Sequence, residues 1–170
     1  LCTLLLGIKK ALKEYSSLQD CFCYHIKTDV KNYIDALEKF TQSLNGPIRG
    51  FLPSPHQKSA CKRLNLFLKW MIRKDDVDPG CWSNPKLIPA KLTIPLDTHM
   101  HQISLRLNLT RRPQADLVTA IEITENLKKY DYTDPVKYDF VLTRFGIHKN
   151  FYKIHPSKRI NALYEQFNNV

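Results

Sequence analysis

Apolar positions along this chain recur at intervals of three and four and almost nowhere at two, which predicts helices and argues against strands. Leu4, Leu5, Ile8, Leu12 and Tyr15 mark a helix over 1–15, and 17–26 reads as a short second one. Val30, Ile34, Leu37 and Phe40 mark a third over 29–44. The stretch 46–57 holds Pro47, Gly50, Pro53 and Pro55 and reads as turns, after which Ser59 is placed to cap a strongly apolar helix over 59–73. An irregular connection with four prolines and Trp82 follows over 75–95, and a helix then starts at Asp97 or Thr98 and runs to Asn108. Pro113 and Pro135 suit first helical positions, predicting helices over 113–130 and 135–146, and a last helix is predicted over 158–168. The fold class is all-α.

Composition narrows this further. With 170 residues, the chain is expected to form a single helical domain over 1–170, drawn as two lobes, about 1–45 and 46–170, around a basic cleft. Apolar residues make up 43%, enough for a packed core, so disorder is excluded. No apolar run approaches the roughly 18 residues of a membrane span. Lysine and arginine number 26 against 16 acids, and the net charge of +10 makes nucleic acid the first partner to consider. The five cysteines are odd in number and irregularly spaced, as expected for free thiols in a reducing, cytoplasmic setting. Because the chain opens on Leu1 inside a helical pattern, an upstream segment is anticipated.

Two places could carry chemistry. On the helix over 59–73, one face is apolar, while Lys62, Asn65, Lys69 and Arg73 recur on the other and are read as open to solvent. Lys62 then sits in the first turn, where free backbone N–H groups, the positive end of the helix dipole and Arg63 and Lys58 nearby disfavour a protonated amine. A neutral amine is a nucleophile. The plainer alternative is a solvated basic face. Asp97 stands where a helix cap is expected, and a carboxylate held by its cap can still present its second oxygen to a cleft. Cys21, Cys23 and His25, or His99 and His101, are spaced two apart, point to different sides of a helix and make a poor metal site.

At these residues the sequence resembles a known family. The segment PLDTHMHQISLRL (95–107) is similar to the block that carries the catalytic aspartate in helix-hairpin-helix DNA glycosylases, the superfamily of endonuclease III and the 8-oxoguanine glycosylases. Lys62 and the residues after it resemble the second hairpin helix, where bifunctional members place a lysine. More closely, SACKRLNLFLKWMIR, IPLDTHMH and DPVKYDFVLTRFGI resemble three blocks of an uncharacterised bacterial family within that superfamily, together covering about 59–147.

The resemblance implies a DNA-repair glycosylase with associated lyase activity, in which Lys62 attacks C1′ of a flipped-out damaged nucleoside and Asp97 positions the amine and stabilises positive charge. Double-stranded DNA containing a damaged base, with 8-oxoguanine as the lesion type the resemblance leans toward, is the implied partner of a monomer at the nucleoid, with no cofactor and no metal. DNA contacts are expected from Lys58, Ser59, Arg63, Lys69, His99 and Arg106, and a base pocket from Trp70 and Trp82. The sequence departs from the pattern at the hairpin, where LPSPHQKS (52–59) lacks the usual glycines, so that Ser54, Gln57 and Lys58 would have to anchor phosphates by their side chains. A second alignment puts Lys58 at the nucleophile's position, and the separation of 35 residues between Lys62 and Asp97 implies an insertion through Trp82. The competing classes are a DNA-binding module that keeps the fold without the chemistry, and a helical protein-interaction domain.

Overall fold

A computed structural model describes residues 1–49, 51–57 and 59–147. Among these residues the fold is all-α, with no strand. The helices are α1 (Cys2–Tyr15), α2 (Leu18–Tyr24), α3 (Ile34–Ser43), α4 (Lys62–Ile72), α5 (Thr98–Arg106), α6 (Leu117–Leu127) and α7 (Asp139–Ile147). Short 3-10 turns at Pro55–Gln57, Pro89–Lys91 and Pro135–Tyr138 link them. Lys58 and the helix expected over 158–168 lie outside the described residues. No helix among the described residues is long and apolar enough to cross a membrane.

Local chemistry explains where the helices begin. Ser17 caps α2 by accepting from the Asp20 N–H at 3.0 Å. The third helix starts at Ile34 and not at 29, because Asp29 adopts a left-handed conformation and Asn32 takes the Ile34 N–H at 3.1 Å. Pro113 does not open α6. Asp116, three residues on, accepts from Thr119 N at 2.9 Å and sets the start at Leu117, since a side-chain cap satisfies an amide that a proline merely omits. Pro135 does stand at a first helical position, but of a 3-10 turn that leads into α7.

The core is a continuous cluster running from Ala11 to Leu142. Phe22, Tyr33, Leu37 and Phe40 fill the N-terminal part, and Leu68, Ile94, Met100, Ile103, Ile123, Leu127 and Tyr138 the remainder. Helix α1 crosses α2 and α3, and α5 packs on α7. Gly7 permits the first of these contacts, because a Cβ there would run into the backbone of Leu44.

The irregular connection after α4 is firmly held. Tyr33 donates its hydroxyl to Lys86 O at 2.7 Å and accepts the Ile88 N–H at 2.8 Å. Trp82 enters the core beside Phe67 (5.4 Å), Phe22 (5.7 Å) and Phe40 (6.4 Å between ring centres). So anchored, the chain returns to begin α5 beside the start of α4.

Two substitutions test this packing by thermal or denaturant unfolding. Leu64→Ala, at a position 5% exposed, is expected to lose about 2–5 kcal/mol. Gly7→Ala is expected to cost about 1–3 kcal/mol through the clash with Leu44, although alanine is the better helix former.

Candidate active site

Helix α4 begins with an unusual residue. Cys61 is buried and left-handed (φ 49°), and it precedes the helix without a side-chain cap. This conformation is costly for a residue with a Cβ. It is held from both sides: Ser59 pairs with Asp116 in an isolated bridge, and Asn65 Nδ2 donates to Ala60 O at 3.1 Å. Ser59 therefore does not cap the helix. Its hydroxyl takes the Cys61 N–H at 3.2 Å, and Lys62 becomes the first helical residue.

Asp97 arrives from the other direction. Ile94 and Leu96 are buried, and the Ile94 N–H donates to Thr124 Oγ1 at 3.0 Å, fixing the segment that leads into α5. Asp97 is extended (φ −118°, ψ −175°) and divides its carboxylate between two tasks. Oδ1 accepts the Met100 N–H at 2.8 Å as the cap of α5, and Oδ2 receives the Lys62 ammonium at 3.0 Å. Burial pushes the Asp97 carboxyl up, but the Met100 N–H, Lys62 and the nearby His99 outweigh it and hold the group below its ordinary value. The side chain of Lys62 is 46% exposed, that of Asp97 20%.

Lys62 lies where two depressions meet. One is a wide cleft of about 760 Å³ whose wall includes Arg49, Phe51, Gln57, Ser59 and Arg63. Its rim is a tight turn closed by paired backbone bonds between Ile48 and Leu52, both 2.9 Å. The other is a small recess of about 180 Å³, shared by Lys62, Asp97 and Asp139 and walled by Leu66, Pro95 and Phe140.

Beneath the recess runs a buried charge network. Lys69 is 2% exposed and donates to Asp78 at 3.1 Å and Asp139 at 3.3 Å. Arg73, 5% exposed, pairs with Asp78, with Asp75 at 2.6 Å and with Asp134 at 2.7 Å. Burial pushes the Asp139 carboxyl above its ordinary value, against the pull of Lys69.

Residues 1–148 match the model of a family described as a protein of unknown function, DUF2400. The chain belongs to this family. No curated protein and no solved structure matches it.

Within this DUF2400 chain the residues singled out from the sequence divide into groups. Lys62 and Asp97 meet, Ser59 and Arg63 line the wide cleft beside Lys62, and exposed His99 stands close enough to Asp97 to act on its carboxyl. Arg106 ends α5, about 13 Å along the axis from Asp97, and is not brought to the pair. Lys69 is a correction: with Asn65 and Arg73 it was expected on the open face, yet all three are buried, because carboxylates from three other parts of the chain cover Lys69 and Arg73 and Asn65 turns back to Ala60 O. Trp82 is likewise a correction, being a core ring. Trp70 is 44% exposed on α4 and lines neither depression that contains Lys62. Ser54 is buried and donates to Glu38 at 2.8 Å, so it does not face a phosphate. His101 donates from Nε2 to Arg112 O (2.8 Å) inside the fold, while His99 points outward, which separates that pair. The charge nearest the Lys62 amine is the Asp97 carboxylate, which sets a counter-ion against the cation Arg63 in the same helical turn.

The buried and exposed lysines of α4 should respond differently to substitution. Lys69→Met is expected to lower unfolding free energy by about 3–5 kcal/mol, since it leaves buried carboxylates short of a partner. Lys62→Ala breaks a half-exposed pair and should change it by no more than about 1 kcal/mol in the same denaturant titration.

Proposed function

We propose that this chain is a DNA glycosylase with associated lyase activity, of the helix-hairpin-helix kind, that removes a damaged base from double-stranded DNA. The observation that carries the reading is the 3.0 Å contact between Lys62 Nζ and Asp97 Oδ2 at the edge of an open cleft. An amine and a capped carboxylate are the two groups that Schiff-base excision requires. Among the described residues Arg49, Lys62 and Arg63 line the wide cleft and no acid does, which suits the phosphate backbone of DNA, as does the overall charge of +10. The two lobes and the basic cleft between them belong to this same reading, as does a place at the nucleoid.

The chemistry follows from the pair. A damaged nucleotide is turned out of the duplex so that C1′ reaches the amine. Lys62, having lost its extra proton to water, forms a bond to C1′ while the bond from C1′ to the base breaks and its electron pair leaves with the base. Asp97, kept ionised by its cap and by Lys62, stands beside the positive charge that develops on the sugar. Opening of the sugar ring yields a Schiff base, and β-elimination then expels the 3′ phosphate and nicks the strand.

Borohydride trapping tests this on duplexes that contain 8-oxoguanine or an abasic site. A covalent protein–DNA adduct is expected from the native chain and none from Lys62→Ala, with Asp97→Asn slowing adduct formation about 100-fold or more. An adduct that persists unchanged in Lys62→Ala refutes the nucleophile and transfers attention to Lys58. Binding that weakens steeply with salt, with no adduct and no released base, identifies a non-catalytic module instead.

A further inference from the structure

We propose that Asp139 is a further catalytic residue of this site: the acid that hands its proton to the departing base from the floor of the small recess. The inference rests on the excision reading above and assigns a second carboxyl group to it.

The first support is volume. At about 180 Å³ the recess is close to the ~150 Å³ cavity known to accept a benzene ring, so it takes one planar ring system and not a whole nucleoside. Because Lys62 lines both depressions, a nucleotide whose base enters the recess leaves its sugar at the mouth, beside the amine. Leu66, Pro95 and Phe140 supply apolar walls for the ring, and Asp139 supplies a polar group within it.

The second support is charge. The network behind the recess joins two cations, Lys69 and Arg73, to four carboxylates, Asp75, Asp78, Asp134 and Asp139. Burying an excess of negative charge is costly, and retaining a proton relieves it. Asp78 draws on both cations, and Asp75 on Arg73 and two backbone N–H groups. Asp134 has Arg73 and a buried Oδ1 without a partner, and burial raises its carboxyl too, but it does not line the recess. Among the described residues Asp139 is held by Lys69, which it shares with Asp78, and by a long contact to Thr143 at 3.4 Å. It also shares the recess with the ionised Asp97, and with Lys62 and Arg144, which oppose that charge from the same lining. Burial raises its carboxyl, while Asp97 is lowered, and two carboxyls set apart in this way can serve as acid and anion in one pocket.

The step balances. The C1′–base bond breaks with its electron pair going to the base, the Asp139 proton joins the base, and the base leaves neutral. Lys62 forms the new bond to C1′ and gives its surplus proton to water. The Asp139 carboxylate regains a proton from solvent once the base has gone.

An abasic site has no base to expel, so the acid is needed on one substrate and not on the other. Asp139→Asn in the full chain keeps an oxygen for Lys69. It is expected to trap on abasic duplex within about threefold of the native rate and to release 8-oxoguanine at least about 100-fold more slowly. Excision retained within a few fold overturns the proposal, and so does parallel loss on both substrates, which would mark a structural role. A measurement on the native chain needs no variant: the ratio of excision to abasic trapping against pH. The groups facing Asp139 are Lys62 and Lys69 from α4, Asp97 at the start of α5, Asp78 from the connection, and Thr143 and Arg144 on its own helix. Lys62 and Asp97 serve both reactions and cancel in the ratio. The ratio is expected to fall as pH rises through the raised Asp139 titration, above the ordinary carboxyl range near 4. A ratio flat from about pH 4 to 9 overturns the proposal. Absence of any adduct between the native chain and abasic DNA removes the lysine chemistry itself, and this proposal with it.

Discussion

An ammonium and a carboxylate that lie 35 residues apart come within 3.0 Å because two helices begin at the same point in space. Everything distinctive about the candidate site follows from that meeting. The backbone around Cys61 is forced into a left-handed turn so that α4 can start with Lys62. The segment before Asp97 is buried and pinned to Thr124, so the carboxylate has no freedom to turn away. Its division of labour, one oxygen for the helix and one for the amine, couples the stability of α5 to the geometry of the pair.

The second constraint lies one layer deeper. Lys69 and Arg73 follow Lys62 on the same helix at intervals of seven and eleven, yet they are interior residues. They tie α4 to the loop at Asp75 and Asp78, to Asp134 before the 3-10 turn, and to Asp139 at the start of α7. Buried ion pairs contribute little net stability compared with an apolar core, but they are intolerant of losing one member. They therefore specify how α4 and α7 sit relative to each other, and that relation shapes the recess.

How much of this was legible in the sequence depends on how local each cause is. The helical period of the apolar residues was readable, as was the cap at Asp97, because an acid before Thr98 and Met100 acts within a single turn. Pro113 misleads for the same reason: the expectation rests on the proline alone, and the cap that sets the start of α6, Asp116, is equally local. Lys69 and Arg73 misled for a different one. A helical wheel shows which residues share a face and not what covers that face, and the covering acids come from as far away as Asp134 and Asp139. The meeting of Lys62 with Asp97 was accessible only through resemblance, since no periodicity links the two. Asp139 stood in a recognised block, but a carboxyl between two aromatic rings gave no hint of the recess.

Trp82 alters the meaning of the long stretch between α4 and α5. Its ring completes a packed group with Phe22, Phe40 and Phe67, contributed by three separate helices, and Tyr33 grips the backbone a few residues later. Length here is not slack. A chain trimmed to join the two helices directly would empty one quarter of an aromatic cluster and open the interior of the molecule before it disturbed any group at the reaction centre.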